Sequence, residues 1–318
     1  MPWIDRLGAP LFVSWQLTRN CDLGCLHCCT GSAPGKHLPD ELDADEALAL
    51  ADQIIAMGVP YVMLCGGEPL TVPHFFELAQ RLGAAGVQLK IETNGQRFDS
   101  SLAQRLAALP IRSIQISLDA DTQAVYERQR PGASLARAHA ACAAVRAAGL
   151  PLEVTFAPSR LNLHEAQQVV ERSIALGAFR FNTGRLMRIG TAARHWDKLE
   201  SSEDEYVAYR ELLQRLSLRH APQLELCFEP FSLQDGLRAS LASPPATLLV
   251  LPNGWVKVSA ALASVCADLR LHTLQQAWDS YRAAWGDAML RSTVVAAIAD
   301  SALHAASNRW QPMLEVRA

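Results

Sequence analysis
The feature that most constrains the fold is a sixfold alternation of strand-like and helix-like segments before residue 218. The pattern predicts strands at Leu11–Leu17, Tyr61–Cys65, Gln88–Glu92, Arg112–Leu118, Leu152–Phe156 and Phe179–Thr183. It predicts a helix after each, at Asp43–Met57, His74–Ala85, Ser100–Leu109, Ala133–Ala148, His164–Leu176 and Glu203–Leu216. Asp43 and Glu46 form a capping box for the first helix, and Gly58, Gly149 and Gly177 are placed to stop helices. Strand–helix units repeated at this spacing predict a parallel sheet with helices outside it.

The strands also alternate in polarity. In the fourth, Ile114, Ile116 and Leu118 share one face while Gln115, Ser117 and Asp119 share the other. Lys90 and Glu92, Glu153 and Thr155, Arg180 and Asn182, and Ser14 and Gln16 repeat the pattern in other strands. A parallel sheet covered on both faces is apolar throughout, and a full (βα)8 barrel fills its interior with Val, Ile and Leu. Six units with a polar inner face instead predict an α/β fold, a (βα)6 partial barrel, open and lined for polar ligands. Residues 1–220 are assigned to this barrel and 221–318 to a small α+β appendage.

A formal charge of −3, with Lys and Arg scattered, gives no footprint for nucleic acid or an anionic membrane. No run is apolar enough to span a bilayer, and MPWIDRLGAP lacks the layout of a signal peptide. A cytoplasmic location is expected. Of eight cysteines, four lie between Cys21 and Cys29. Cys21, Cys25 and Cys28 form C-x3-C-x2-C after the first strand, a spacing that suits a metal or cluster site better than a disulfide framework. Three such thiolates can meet three corners of an iron–sulfur cube. The competing ligand is structural zinc, which needs a fourth donor from His27, Cys29 or His37. Cys142, in an Ala-rich stretch, reads as a buried small hydrophobe.

Gly66-Gly67-Glu68-Pro69 ends the second strand. With the cysteine motif it resembles the signature of the radical S-adenosylmethionine (SAM) enzymes. The resemblance implies a [4Fe-4S] cluster on Cys21, Cys25 and Cys28, with one iron open to the amino acid end of SAM. It implies SAM contacts from the His27 backbone, from Gly66 and Gly67, and from Glu68 to the SAM ammonium. Asn94 resembles the end of the family's third strand; Ser117 and Asp119 resemble its fourth-strand motif. Cys29 is read as a non-ligand. Tyr126–Gly132 resembles the basic segment of the SPASM/twitch branch, in which one arginine is a candidate to pair with SAM or substrate and a solvated arginine is the default, and Leu186–Ala192 resembles that branch's sixth-strand exit. Cys65, Lys90, Glu92, Gln115, Glu153, Arg180 and Asn182 are candidates for the substrate side of the lumen.

Asn253-Gly254 between Thr247–Leu251 and Trp255–Val258 predicts a hairpin. The stretch through Trp278 resembles the closing half of a SPASM or twitch domain. Ser259 and Ala260 stand where that domain has a cysteine, and Cys227 and Cys266 are too few for a second cluster, so a degenerate domain is expected. The tail from Asp287 to Ala306 is read as a packing helix. The family's chemistry implies a flavodoxin or ferredoxin electron donor. The branch implies a peptide or peptide-derived precursor as substrate, delivered by a peptide chaperone because no recognition domain precedes the barrel. Two alternatives are a radical SAM enzyme for a tetrapyrrole or sugar and a non-catalytic zinc-stabilised binding protein.

Overall fold
Side chains that alternate in polarity along each strand sort onto two faces of one sheet in the computed structural model, which describes residues 3–313. Strands β1 (Phe12–Gln16), β2 (Tyr61–Cys65), β3 (Gln88–Thr93), β4 (Ile111–Ser117), β5 (Leu152–Thr155), β6 (Arg180–Asn182) and β7 (Glu225–Cys227) are parallel neighbours in that order. The register lines up Trp15, Leu64, Ile91, Ile114 and Leu152 across five strands, and Ile116, Val154 and Phe181 in the next row. All eight are at most 1% exposed and form the core under the helices. Burying each aliphatic chain of these rows contributes about 1.5–3 kcal/mol.

The six expected helices form, with ends displaced by a few residues. Ser134 accepts a hydrogen bond from the Arg137 N–H and so starts its helix at Leu135 rather than Ala133. A separate short helix, Gln123–Gln129, precedes it. The segment expected to begin at His164 opens as a 3-10 turn, Leu163–Glu165, and becomes α-helical at Ala166. The sixth helix runs on to His220.

The sheet continues past residue 220. β7 extends one flank; on the other, β8 (Thr247–Val250) pairs parallel with β1. β9 (Trp255–Lys257) returns antiparallel to β8, followed by β10 (Ser264–Asp268) and β11 (Gln311–Pro312). The hairpin turns where expected, with Gly254 at φ +82 and its N–H on the Leu251 carbonyl at 2.9 Å. The eleven strands run from β11 at one end to β7 at the other without closing. A helix at Leu233–Ala242 and the strands β7, β10 and β11 lie outside the predicted elements. The tail forms the helix Ala288–Ala299 and a 3-10 turn.

The hairpin segment is bolted to the first helix, Ala44–Ala56, through Arg270. Its guanidinium meets Glu46 in a two-point contact at 2.6 and 2.8 Å and donates to the carbonyls of Asp40 and Asn253. Two-point pairs hold geometry better than single contacts, though partial exposure limits their strength. Arg270→Ala is expected to lower stability by about 1–2 kcal/mol in urea unfolding and to speed proteolysis between residues 252 and 270. An unchanged midpoint and cleavage rate would remove Arg270 from this role.

Candidate active site
The C-terminal ends of β1–β6 open into a cavity of about 740 Å³. Its rim is the loop after β1, which is pinned at several points. Leu17 N–H donates to the Cys65 carbonyl at 2.8 Å, and the N–H groups of Gly67 and Glu68 donate to the carbonyls of Thr18 and Asn20 at 2.7 and 2.9 Å. Only glycine permits that approach: a Cβ on Gly67 would stand 2.0 Å from the Asn20 oxygen. The glycine turn therefore packs the cysteine loop against the strand ends as well as presenting backbone to the cavity. Farther along, Thr191 N–H and Asn308 Nδ2 each donate at 2.8 Å, to the carbonyls of Cys28 and Cys29.

Cys21, Cys25 and Cys28 line the cavity together. Burial pushes the Cys21 thiol up to about 12 and the Cys25 thiol up to about 11, the latter opposed by the Arg130 guanidinium. Asn94 Nδ2 is 3.7 Å from Cys21 Sγ, and Arg130 Nη1 is 3.6 Å from Cys25 Sγ. Buried sulfurs met by N–H donors suit thiolates that carry a cluster, because ligation supplies positive charge and the donors spread the negative charge. Among the described residues, no three His, Cys, Asp or Glu side chains close around a single metal ion. Cys29 also faces the cavity, and burial pushes its thiol up to about 12.

The residues expected to contact SAM divide into two groups. His27, Gly66, Gly67, Asn94 and Ser117 line the cavity. Glu68 and Asp119 are fully buried and do not. Glu68 accepts from Asn94 N–H at 2.9 Å, Thr93 Oγ1 at 2.8 Å and Leu70 N–H at 3.2 Å, tying the glycine turn to the end of β3. Burial pushes its carboxyl up to about 7 against these donors. Asp119 gathers Arg130 Nε at 2.5 Å, Ala157 N–H at 2.7 Å and His27 Nε2 at 3.1 Å. Burial alone would raise its pKa; Arg130, then His27 and the Ala157 N–H, outweigh that and hold it well below the carboxylate range. His27 Nδ1 is buried and has no hydrogen-bond partner among the described residues.

Arg130 corrects the expectation of a solvated basic segment. It is 6% exposed, ion-paired with Asp119 and beside Cys25. Deeper in the cavity, Cys65, Lys90, Glu92, Gln115 and Asn182 line the lumen, while Glu153 and Arg180 lie outside the lining and pair with Lys90 and Glu225. The mouth includes residues that sequence reasoning missed, among them Phe231, Leu233 and Gly236 from the turn after β7 and its helix. Cys227 and Cys266 lie toward opposite flanks of the strand order, and the Cys266 thiol donates to the Val256 carbonyl.

An open parallel barrel that gathers three loop thiols and a glycine turn at its strand ends is a core built for an iron–sulfur cluster and a small polar cofactor. Residues 15–171 match the family model of the Radical SAM superfamily. The chain is 32% identical over 189 residues to the AdoMet-dependent heme synthase of Methanosarcina barkeri, covering 59% of this chain and 54% of that one. It is 34% identical over 203 residues to the mycofactocin maturase MftC of Mycobacterium ulcerans, covering 64% and 54%. The chain thus spans about half the length of the curated relatives it matches. SuiB of Streptococcus suis, solved bound to S-adenosylmethionine, shares the fold at a TM-score of 0.69 with 15% identity, covering 90% of this chain and 68% of SuiB. SuiB bound to its precursor peptide SuiA superposes at 0.63, also with 15% identity, covering 78% and 59%. No described helix is long and apolar enough to cross a membrane.

Two outcomes follow from the packing of this site. A Cβ on Gly190, at φ +61, would stand 2.4 Å from the Cys29 oxygen and 2.6 Å from that of Cys28. Gly190→Ala is expected to displace the cysteine loop and reduce the iron retained after reconstitution; wild-type iron content and melting would contradict this. Asp119→Asn leaves Arg130 buried without its counter-charge and is expected to cost about 3–5 kcal/mol near neutral pH. A depressed carboxyl contributes stability that is complete above its unfolded value and lost as pH falls through the folded one. The gap between wild type and Asp119→Asn should therefore be constant above about pH 5 and narrow on acidification. Urea unfolding across that range reads it directly.

Proposed function
We propose that this chain is a radical SAM enzyme that removes a hydrogen atom from a peptide or peptide-derived precursor. The observation that carries the reading is one cavity walled by Cys21, Cys25 and Cys28, by the Gly66-Gly67 backbone and by Asn94. The three thiolates would hold three irons of a [4Fe-4S] cluster, with Asn94 and Arg130 donating toward their sulfurs. When bound, the reduced cluster supplies the electron that cleaves SAM to methionine and a carbon radical able to take hydrogen from a substrate. The chain's own residues bind, orient and shield these groups. Gly66 and Gly67 present backbone at the cavity edge. Asp119 fixes His27 and Arg130, and the lumen keeps reactive groups from bulk water.

A peptide-type substrate is supported by the resemblance to MftC, a maturase, and by the fold shared with SuiB, solved with a precursor peptide. The heme synthase relative supports a second reading, a small tetrapyrrole substrate. A flavodoxin or ferredoxin as electron donor, a peptide chaperone and a cytoplasmic setting belong to the proposal.

Anaerobic reconstitution tests it, with iron, sulfide and zinc counted per chain. The expected result is about four iron, lost when Cys21, Cys25 and Cys28 are all replaced by Ala, and 5′-deoxyadenosine formed from SAM with dithionite. Zinc without iron, and no SAM cleavage, would refute the enzyme reading. About eight iron, half of it surviving in the triple variant, would reveal a second cluster held outside Cys21, Cys25 and Cys28.

A further inference from the structure
All but one of the charged side chains lining the cavity have a counter-charge in contact among the described residues. Lys90 pairs with Glu153 at 2.8 Å, Arg130 with Asp119 and Arg185 with Glu203 at 2.7 Å. Glu92 has no ion pair. Its Oε1 accepts from Gln115 Nε2 at 2.8 Å, and its Oε2 has no donor within hydrogen-bond distance among the described residues. Glu92 nonetheless lines the cavity and is not among the sealed polar atoms, so this oxygen faces cavity space.

Three further observations make the carboxylate look like a receptor. First, it is held in place: Asn182 Nδ2 donates to both Glu153 Oε2 and Gln115 Oε1, which turns the Gln115 amide N–H toward Glu92. Second, Lys90 on the same strand makes its ion pair with Glu153 and not with Glu92. Third, Glu92 on β3 precedes Asn94, at the exit of that strand, by two residues and pairs in register with Gln115, which puts it one inward-facing step below the residue beside Cys21. The free oxygen thus lies on the lumen side of the cluster cysteines. An unpaired carboxylate this deep is costly, and a cation bringing N–H donors to it recovers that cost.

We infer that Glu92 selects the substrate, and that the lumen takes a substrate whose docking group is cationic, an alkylammonium or a guanidinium held against the free Oε2. The inference rests on the reading of the cavity as a radical SAM site and adds the charge of its substrate. A lysine or arginine residue of a peptide and a free amine share this chemistry.

Calorimetry on the reconstituted chain with SAM present separates the possibilities. The probes are pentapeptides centred on Lys, Arg, norleucine or Glu, together with the N-acetyl amides of lysine and norleucine. In wild type, the Lys and Arg probes should bind about tenfold more tightly than the norleucine probes, and the Glu probe most weakly. The preference should fall to within about twofold in Glu92→Gln and keep its direction in Glu92→Asp. Melting curves check that both variants are folded. A preference confined to peptides supports the inference with a peptide residue as the source; one equally strong in the amides supports it with a small amine. Equal binding of all probes to wild type, or a preference that survives in Glu92→Gln, would overturn it. So would a tenfold loss of SAM affinity in Glu92→Gln, because the cation would then be that of SAM. Formation of 5′-deoxyadenosine by wild type without any probe is read separately, so failure of the radical SAM assignment is distinguishable from failure of the charge preference.

Discussion
The site depends on one buried carboxylate. Asp119, at the exit of β4, binds Arg130 from the following helix, His27 from the cysteine loop and the Ala157 N–H from the exit of β5. Its own backbone carbonyl takes the Asn162 amide. Burying an ion pair rarely stabilises a protein as well as apolar packing of equal volume. What Asp119 provides is geometry: four segments distant in sequence meet at a single charge. Arg130 then passes that order to Cys25 Sγ, and His27 passes it along the backbone to Cys28, the next residue. Loosening this hub would loosen the thiol triangle without touching a cysteine.

The barrel around that hub differs from a closed one in how its interior is filled. A closed eight-stranded barrel packs its centre with branched aliphatic layers. Here the inward positions are Lys90, Glu92, Gln115, Ser117, Thr155 and Asn182, and they enclose open volume. Their polar groups cross-link through Glu153, which accepts from Lys90, Asn182 and Arg180. Such pairing offsets the cost of taking these polar groups out of bulk water.

Most of this architecture was legible in the chain. Two-residue periodicity fixed which side chains face the helices, because a one-residue slip would put Ile116 in the lumen and Gln115 in the core. The thiol spacing and the glycine turn located the cavity rim. Less legible were features set by partners far along the chain. Arg130 reads as solvated until Asp119 is seen beside it, eleven residues back and across a turn. Glu68 and Asp119 look like cavity groups in sequence, yet internal donors hold both in the walls. Strand β7 is too short to show a period, and the helix Leu233–Ala242 buries fully only Leu237, too little for an apolar stripe.

The C-terminal hairpin acquires a role from what it touches. Lys257 is 2% exposed, and its Nζ donates to the carbonyls of Ala260 and Ser307 rather than to a carboxylate. Burial pulls its pKa down to about 8, opposed by the nearby Cys29. Asn308, next to Ser307, donates to the Cys29 carbonyl. One side chain thus draws the hairpin and the terminal segment together, and the next residue hands that constraint to the cysteine loop. Ser259 and Ala261 face the same cavity from the turn between β9 and β10. The segment that resembles a degenerate SPASM or twitch domain acts here as a brace, holding the back of the cysteine loop through backbone carbonyls.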